Sequence, residues 1–143
     1  MPHTTLHEQG TRQRRRVLGD AHVDRASAGI TDVNRDFQDL IVRYAWGEIW
    51  TRPGLGMRDR RILVMGTMIA LGRWDELRLH LRSALIGQMS LCDIEEILLQ
   101  QAIYCGIPAA NTAHHHLSEI LAELASQGTQ INRTPTAAAE TTS

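Results

Sequence analysis

Residues 90–105 read SLCDIEEILLQQAIYC, and the punctuation of this stretch decides the fold class. Ser90 followed three residues later by Asp93 resembles a capping box with aspartate in the acidic slot, a signature of a helix start. Ile94, Ile97, Leu98 and Ala102 then recur at three- and four-residue spacing, which places them on one face of an α-helix. Gly106 and Pro108 break the pattern, and Pro108 suits the first turn of a further helix carrying Ala109, Ala113, Leu117, Ile120, Leu121 and Leu124. Upstream, Leu77, Leu81, Ala84 and Leu85 predict a helix from about Trp74, and Gly72 is placed to cap the one before it. That earlier helix, roughly Arg58 to Leu71, is apolar nearly all round after its first turn, so it is expected to be the buried one. Phe37, Leu40, Ile41, Tyr44 and Ala45 mark one more amphipathic helix, running from about Thr31 and stopping near Pro53-Gly54. No stretch alternates as a half-buried strand would. The expected fold class is all-α.

The rest of the chain sets limits. Its 143 residues suit one helical domain over residues 31–125, preceded by an N-terminal arm with a short helix (1–30) and followed by a disordered tail (126–143) rich in Thr, Ala, Gln and Ser. A net charge of −1 gives no electrostatic reason to expect nucleic acid or an anionic membrane as partner. The basic cluster Arg12, Arg14, Arg15 and Arg16 is too short to change that. The polar start and the absence of a spanning apolar run point to the cytoplasm. All fifteen basic residues are arginine, which removes Schiff-base and P-loop lysine chemistry together. Cys92 and Cys105 form no C-x-x-C pair and offer no dithiol centre.

Three stretches carry more polar and aromatic residues than packing needs. Residues 46–55, WGEIWTRPGL, place Glu48 between Trp46 and Trp50 and put Arg52 at a forced helix end, although a bulky terminus with a surface ion pair reads equally from spacing. Glu76 and His80 lie four apart on one helix face, where a carboxylate can orient an imidazole for general acid work; an ordinary solvated pair is the alternative. His114-His115-His116 point about 100° apart on a helix and cannot converge on one ion, so no metal is expected. Tyr104 beside Cys105 would line a pocket or fill core.

Residues 46–55, residues 70–85 (ALGRWDELRLHLRSAL) and residues 104–110 (YCGIPAA) resemble the γ-carboxymuconolactone decarboxylases, as do GTRQRRRVLGDAHVDR at 10–25 and Phe37-Gln38. The likeness runs from about residue 8 to about residue 125. It implies a compact bundle of about six helices of the alkylhydroperoxidase D-like type, assembled as a ring-like homohexamer, a trimer of dimers. It also implies the conversion of γ-carboxymuconolactone to β-ketoadipate enol-lactone in protocatechuate catabolism. By position, His80 matches the family's catalytic histidine, while Glu48, Arg52 and Glu76 fall at motif positions that line the pocket.

The substrate so implied is a lactone dicarboxylate that carries its own electron sink, which makes a cofactor unnecessary. Arg52 would anchor a carboxylate, and His80 supported by Glu76 would deliver the proton. Trp46, Trp50 and Tyr104 would wall off water. A competing assignment makes Glu48 the donor, kept neutral between the two indoles. Peroxide reductases of the same superfamily place a C-x-x-C pair where this chain reads Arg73-Trp74-Asp75-Glu76, which disfavours their chemistry. A non-catalytic oligomeric relative, or one acting on a different lactone, is a further possibility.

Overall fold

The structure, a computed structural model, describes residues 5–87 and 89–135, and the final residues of the expected tail (136–143) lie outside the described residues. Among the described residues there are seven α-helices, one π-helix and no strand. They are α1 (Leu6–Leu18), α2 (Asp20–Ala28), α3 (Arg35–Leu40), the π-helix (Ile41–Ile49), α4 (Met57–Leu71), α5 (Trp74–Ile86), α6 (Leu91–Cys105) and α7 (Ile107–Ser126). No described helix is long and apolar enough to cross a membrane. The chain divides into two compact units after Met57.

In the first unit the backbones of α1 and the π-helix approach very closely. A Cβ added at Gly10 would overlap the Val42 carbonyl oxygen, and one added at Gly47 would overlap the Leu6 carbonyl oxygen. Only glycine fits these two crossings, which is why the residues read as an arm fold together with residues 41–49. Thr5 and Glu8 start α1 with a reciprocal capping box, Glu8 N–H to Thr5 Oγ1 at 3.1 Å and Thr5 N–H to Glu8 Oε2 at 3.0 Å. Val17, Leu18, Val23, Val42 and Trp46 are buried here. The apolar face expected from Phe37, Leu40 and Tyr44 is a correction: these side chains are 60%, 44% and 54% exposed. The helix winds into π geometry at Ile41, with the Trp50 N–H bonded five residues back to the Ala45 carbonyl, so the buried register moves to Val42 and Trp46.

The second unit holds the main core, built from α4 to α7 around Met65, Leu77, Leu81, Ile94, Leu98 and Ile120. The capping box at Ser90 and Asp93 is present as expected, and Gly106 makes the turn into α7 at φ +95°. α4 is buried along one face only, through Arg61, Met65 and Ile69, while Leu63 and Leu71 stay exposed. Arg61 is 1% exposed, and burial holds its guanidinium below the usual arginine pKa. It reaches the turn that ends α5, where a Cβ on Gly87 would lie 3.7 Å from Nη2; the negative end of a helix dipole favours a cation there. The Leu91 N–H bonds to the Asn132 carbonyl at 2.8 Å and Cys92 Sγ to the Arg133 carbonyl at 2.9 Å, so Asn132 and Arg133 lie against the start of α6.

Candidate active site

The candidate residues fall into two sets, one in each unit. In the first, Trp46 is buried (6% exposed) and its ring stacks on Trp50, with centroids 4.9 Å apart at 29°. Gln13 Nε2 donates to the Trp50 carbonyl at 3.2 Å and Thr51 Oγ1 to the Gly47 carbonyl at 2.6 Å, which together close the end of the π-helix. Glu48 and Arg52 are both exposed. Glu48 does not lie between the two indoles. Residues 46 and 50 are one turn apart and meet each other, while residue 48 points away from both.

In the second unit His80 lies on α5 between the fully buried Leu77 and Leu81 and is itself buried, 8% exposed. Glu76, one turn earlier, is exposed and makes no ion pair among the described residues, so the expected carboxylate–imidazole pair is not formed. A helix face four residues wide spans both core and rim here, and the two side chains end on opposite sides of that border. The neighbouring arginines are engaged elsewhere. Arg78 donates to Glu119 at 2.7 Å and to Glu123 at 3.0 Å and contacts His116 Nδ1 at 3.0 Å, and Arg82 also pairs with Glu123. This cluster ties α5 to α7 and leaves the buried His80 on a helix with little freedom to turn.

The three consecutive histidines go three ways. His114 Nδ1 meets the Ala110 carbonyl at 2.8 Å, His115 is exposed, and His116 stacks on Trp74 with centroids 5.6 Å apart. Tyr104, expected to line a pocket, is 77% exposed on α6. A cavity of about 600 Å³ between α4 and α6 was not foreseen. Ile62, Leu63, Ala70 and Ile97 form its apolar wall, Arg58 and Asp93 pair at 3.1 Å beside it, and Gln101 Nε2 donates to the Gly66 carbonyl at 3.0 Å. None of the expected site residues lines it.

A family model, the carboxymuconolactone decarboxylase family, matches residues 35–119. The chain is 39% identical over 127 residues to a 4-carboxymuconolactone decarboxylase of Acinetobacter baylyi, covering 89% of this chain and 95% of that protein. It is 38% identical over 107 residues to a nitrosuccinic acid decarboxylase of Metarhizium robertsii, covering 75% of each. A 4-carboxymuconolactone decarboxylase of Pseudomonas putida is 48% identical over 42 residues, which cover 88% of that sequence and 29% of this one.

Proposed function

This chain belongs to the carboxymuconolactone decarboxylase family, and from that premise we propose that it converts γ-carboxymuconolactone to β-ketoadipate enol-lactone and carbon dioxide. The observation that carries the reading is the 39% identity to the Acinetobacter baylyi enzyme along 95% of that protein's length.

The chemistry asks little beyond placement. The bond between the ring γ carbon and its carboxylate breaks, and carbon dioxide leaves. The electron pair passes through the ring double bond into the lactone carbonyl, giving an oxyfuran-like anion. A proton added at the α carbon then completes the enol-lactone. In our reading His80 delivers that proton, because it is a buried imidazole on a helix fixed at its outer face by the Arg78–Glu123 cluster. Within the first unit, Arg52 carries the planar donor fork that suits a carboxylate, and the Trp46–Trp50 stack is a rigid apolar surface.

Leu99, Ile103 and Tyr104 on α6, with Ile107 at the start of α7, leave an apolar strip 58–78% exposed in the single chain. A homo-oligomer covers such a strip, in keeping with the hexamer that the family resemblance implies.

The likeness to a nitrosuccinic acid decarboxylase favours a second reading in which the acceptor of the electron pair is a nitro group. Both substrates would lose a carboxylate next to a built-in electron sink. Purified full-length chain offered freshly generated γ-carboxymuconolactone and, separately, nitrosuccinate separates the two. Our reading expects at least a hundredfold preference for the lactone in kcat/KM. The reverse preference would replace it with the nitro acid.

A further inference from the structure

The first unit contains a second concavity, separate from the Trp46–Trp50 stack, of about 400 Å³. Val23, Ala26, Ile30 and Val42 give it an apolar wall, and Arg14 lines it from α1. The arginines around this place are treated very differently by the fold. Arg15 reaches two carboxylates, Asp20 at 3.1 Å and Asp24 at 2.8 Å; Arg35 has Asp32 at 2.8 Å; Arg43 has Asp39 at 2.7 Å. Arg14 has no carboxylate within ion-pair distance among the described residues. Its Nη1 makes one long contact, 3.5 Å, with the neutral Gln38 Oε1, and its Nε is buried with no hydrogen-bond partner among the described residues. Burial also holds this guanidinium below the usual arginine pKa. The Arg14 guanidinium is half-buried with no carboxylate at ion-pair distance among the described residues, an arrangement that a bound anion relieves.

We propose that this cavity binds the carboxylate of a small organic acid, with Arg14 as the anion's partner and the Val23–Ala26–Ile30–Val42 wall taking the hydrocarbon body. The charges of the site select among anions. Asp36 and Asp39 also line the cavity; Asp39 is held by Arg43 and lies 3.7 Å from His7, and Asp36 is exposed. Arg35 and His7 line the cavity too, but Arg35 is taken by Asp32 and Asp39 by Arg43, so Arg14 beside Asp36 suits a single negative charge and disfavours phosphates and other polyanions. The volume lies at the small end of the range for ligand pockets. The inference stands whether or not the lactone is the substrate, since it uses no residue assigned to proton transfer.

The test uses the full-length chain and levulinate (4-oxopentanoate) as probe, followed by calorimetry and by the arginine Nε–Hε resonances in 15N correlation spectra. We expect saturable binding that moves the Arg14 Nε–Hε resonance, with no binding of sulfate or of uncharged pentan-2-one. Arg14→Met should weaken the affinity at least tenfold. Ala26→Leu, which fills the cavity and keeps the guanidinium, should do the same while leaving the melting temperature within a few degrees. The source of the acid is separated by kinetics. If levulinate inhibits competitively and Arg14→Met raises KM, the resident is the substrate's or product's own carboxylate. If binding leaves turnover unchanged, it is another acid. Either result supports the site. Absence of saturable binding at tens of millimolar, or binding unchanged in Ala26→Leu, overturns it.

Discussion

At the scale of the residue, burial separates groups that spacing alone left equal. Glu48, Glu76 and His80 are all titratable and all sit in motif stretches, yet only His80 is inside the protein. His80→Ala should therefore lower kcat by about two to four orders of magnitude with KM little changed, the usual effect of losing a positioned general acid. Glu48→Gln should leave turnover within a few-fold of normal; a dead Glu48→Gln beside an active His80→Ala would reverse the assignment. Arg52→Ala should act mainly on KM, as expected for an anchor used equally in ground and transition states. Another histidine reports on pH. Burial first, then the positive charges of Arg14 and Arg25, hold His22 below its ordinary pKa. Between that lowered value and about 6.5 the unfolded chain binds more protons than the folded one, so stability rises with pH through this window. Urea midpoints taken from pH 5 to 7.5 should show that rise, and His22→Gln should flatten it.

At the scale of the element, the helix pattern around residues 90–105 was legible because capping, periodicity and the Gly106 break all agree. The π-helix was not. A 3.6-residue period selects Phe37, Leu40 and Tyr44, whereas the wider turn after Ile41 buries Val42 and Trp46. Nor does any periodicity reveal that Gly10 and Gly47 mark crossings of two backbones, because close approach is a property of elements far apart in sequence. Gly10→Ala or Gly47→Ala should destabilise the chain by on the order of 1–3 kcal/mol, read as a lower urea midpoint, because a carbonyl cannot move aside as a side chain can. The Arg78–Glu123 link between α5 and α7 was equally hidden, since it joins residues 45 apart. The candidate site was legible in its residue types through the likeness of residues 46–55 and 70–85 to a known family. Its exposure pattern was not, because Glu76 and His80 share a helix face that crosses from rim to core.

At the scale of the whole molecule, the exposed strip on α6 argues for self-association. The chain should run in light scattering as a multiple of its 16.0 kDa mass, and Ile103→Glu should shift it toward monomer. A wild-type monomer that is fully active would remove the oligomer from the account. Decarboxylation itself is the central claim, and it is tested most directly by the fate of the substrate's atoms. Purified full-length chain should be given γ-carboxymuconolactone in deuterium oxide, with carbon dioxide and product followed together. The account predicts one carbon dioxide released per lactone consumed and one solvent deuterium in the enol-lactone, located at the α carbon. Lactone left intact, or consumed without release of carbon dioxide, would contradict it.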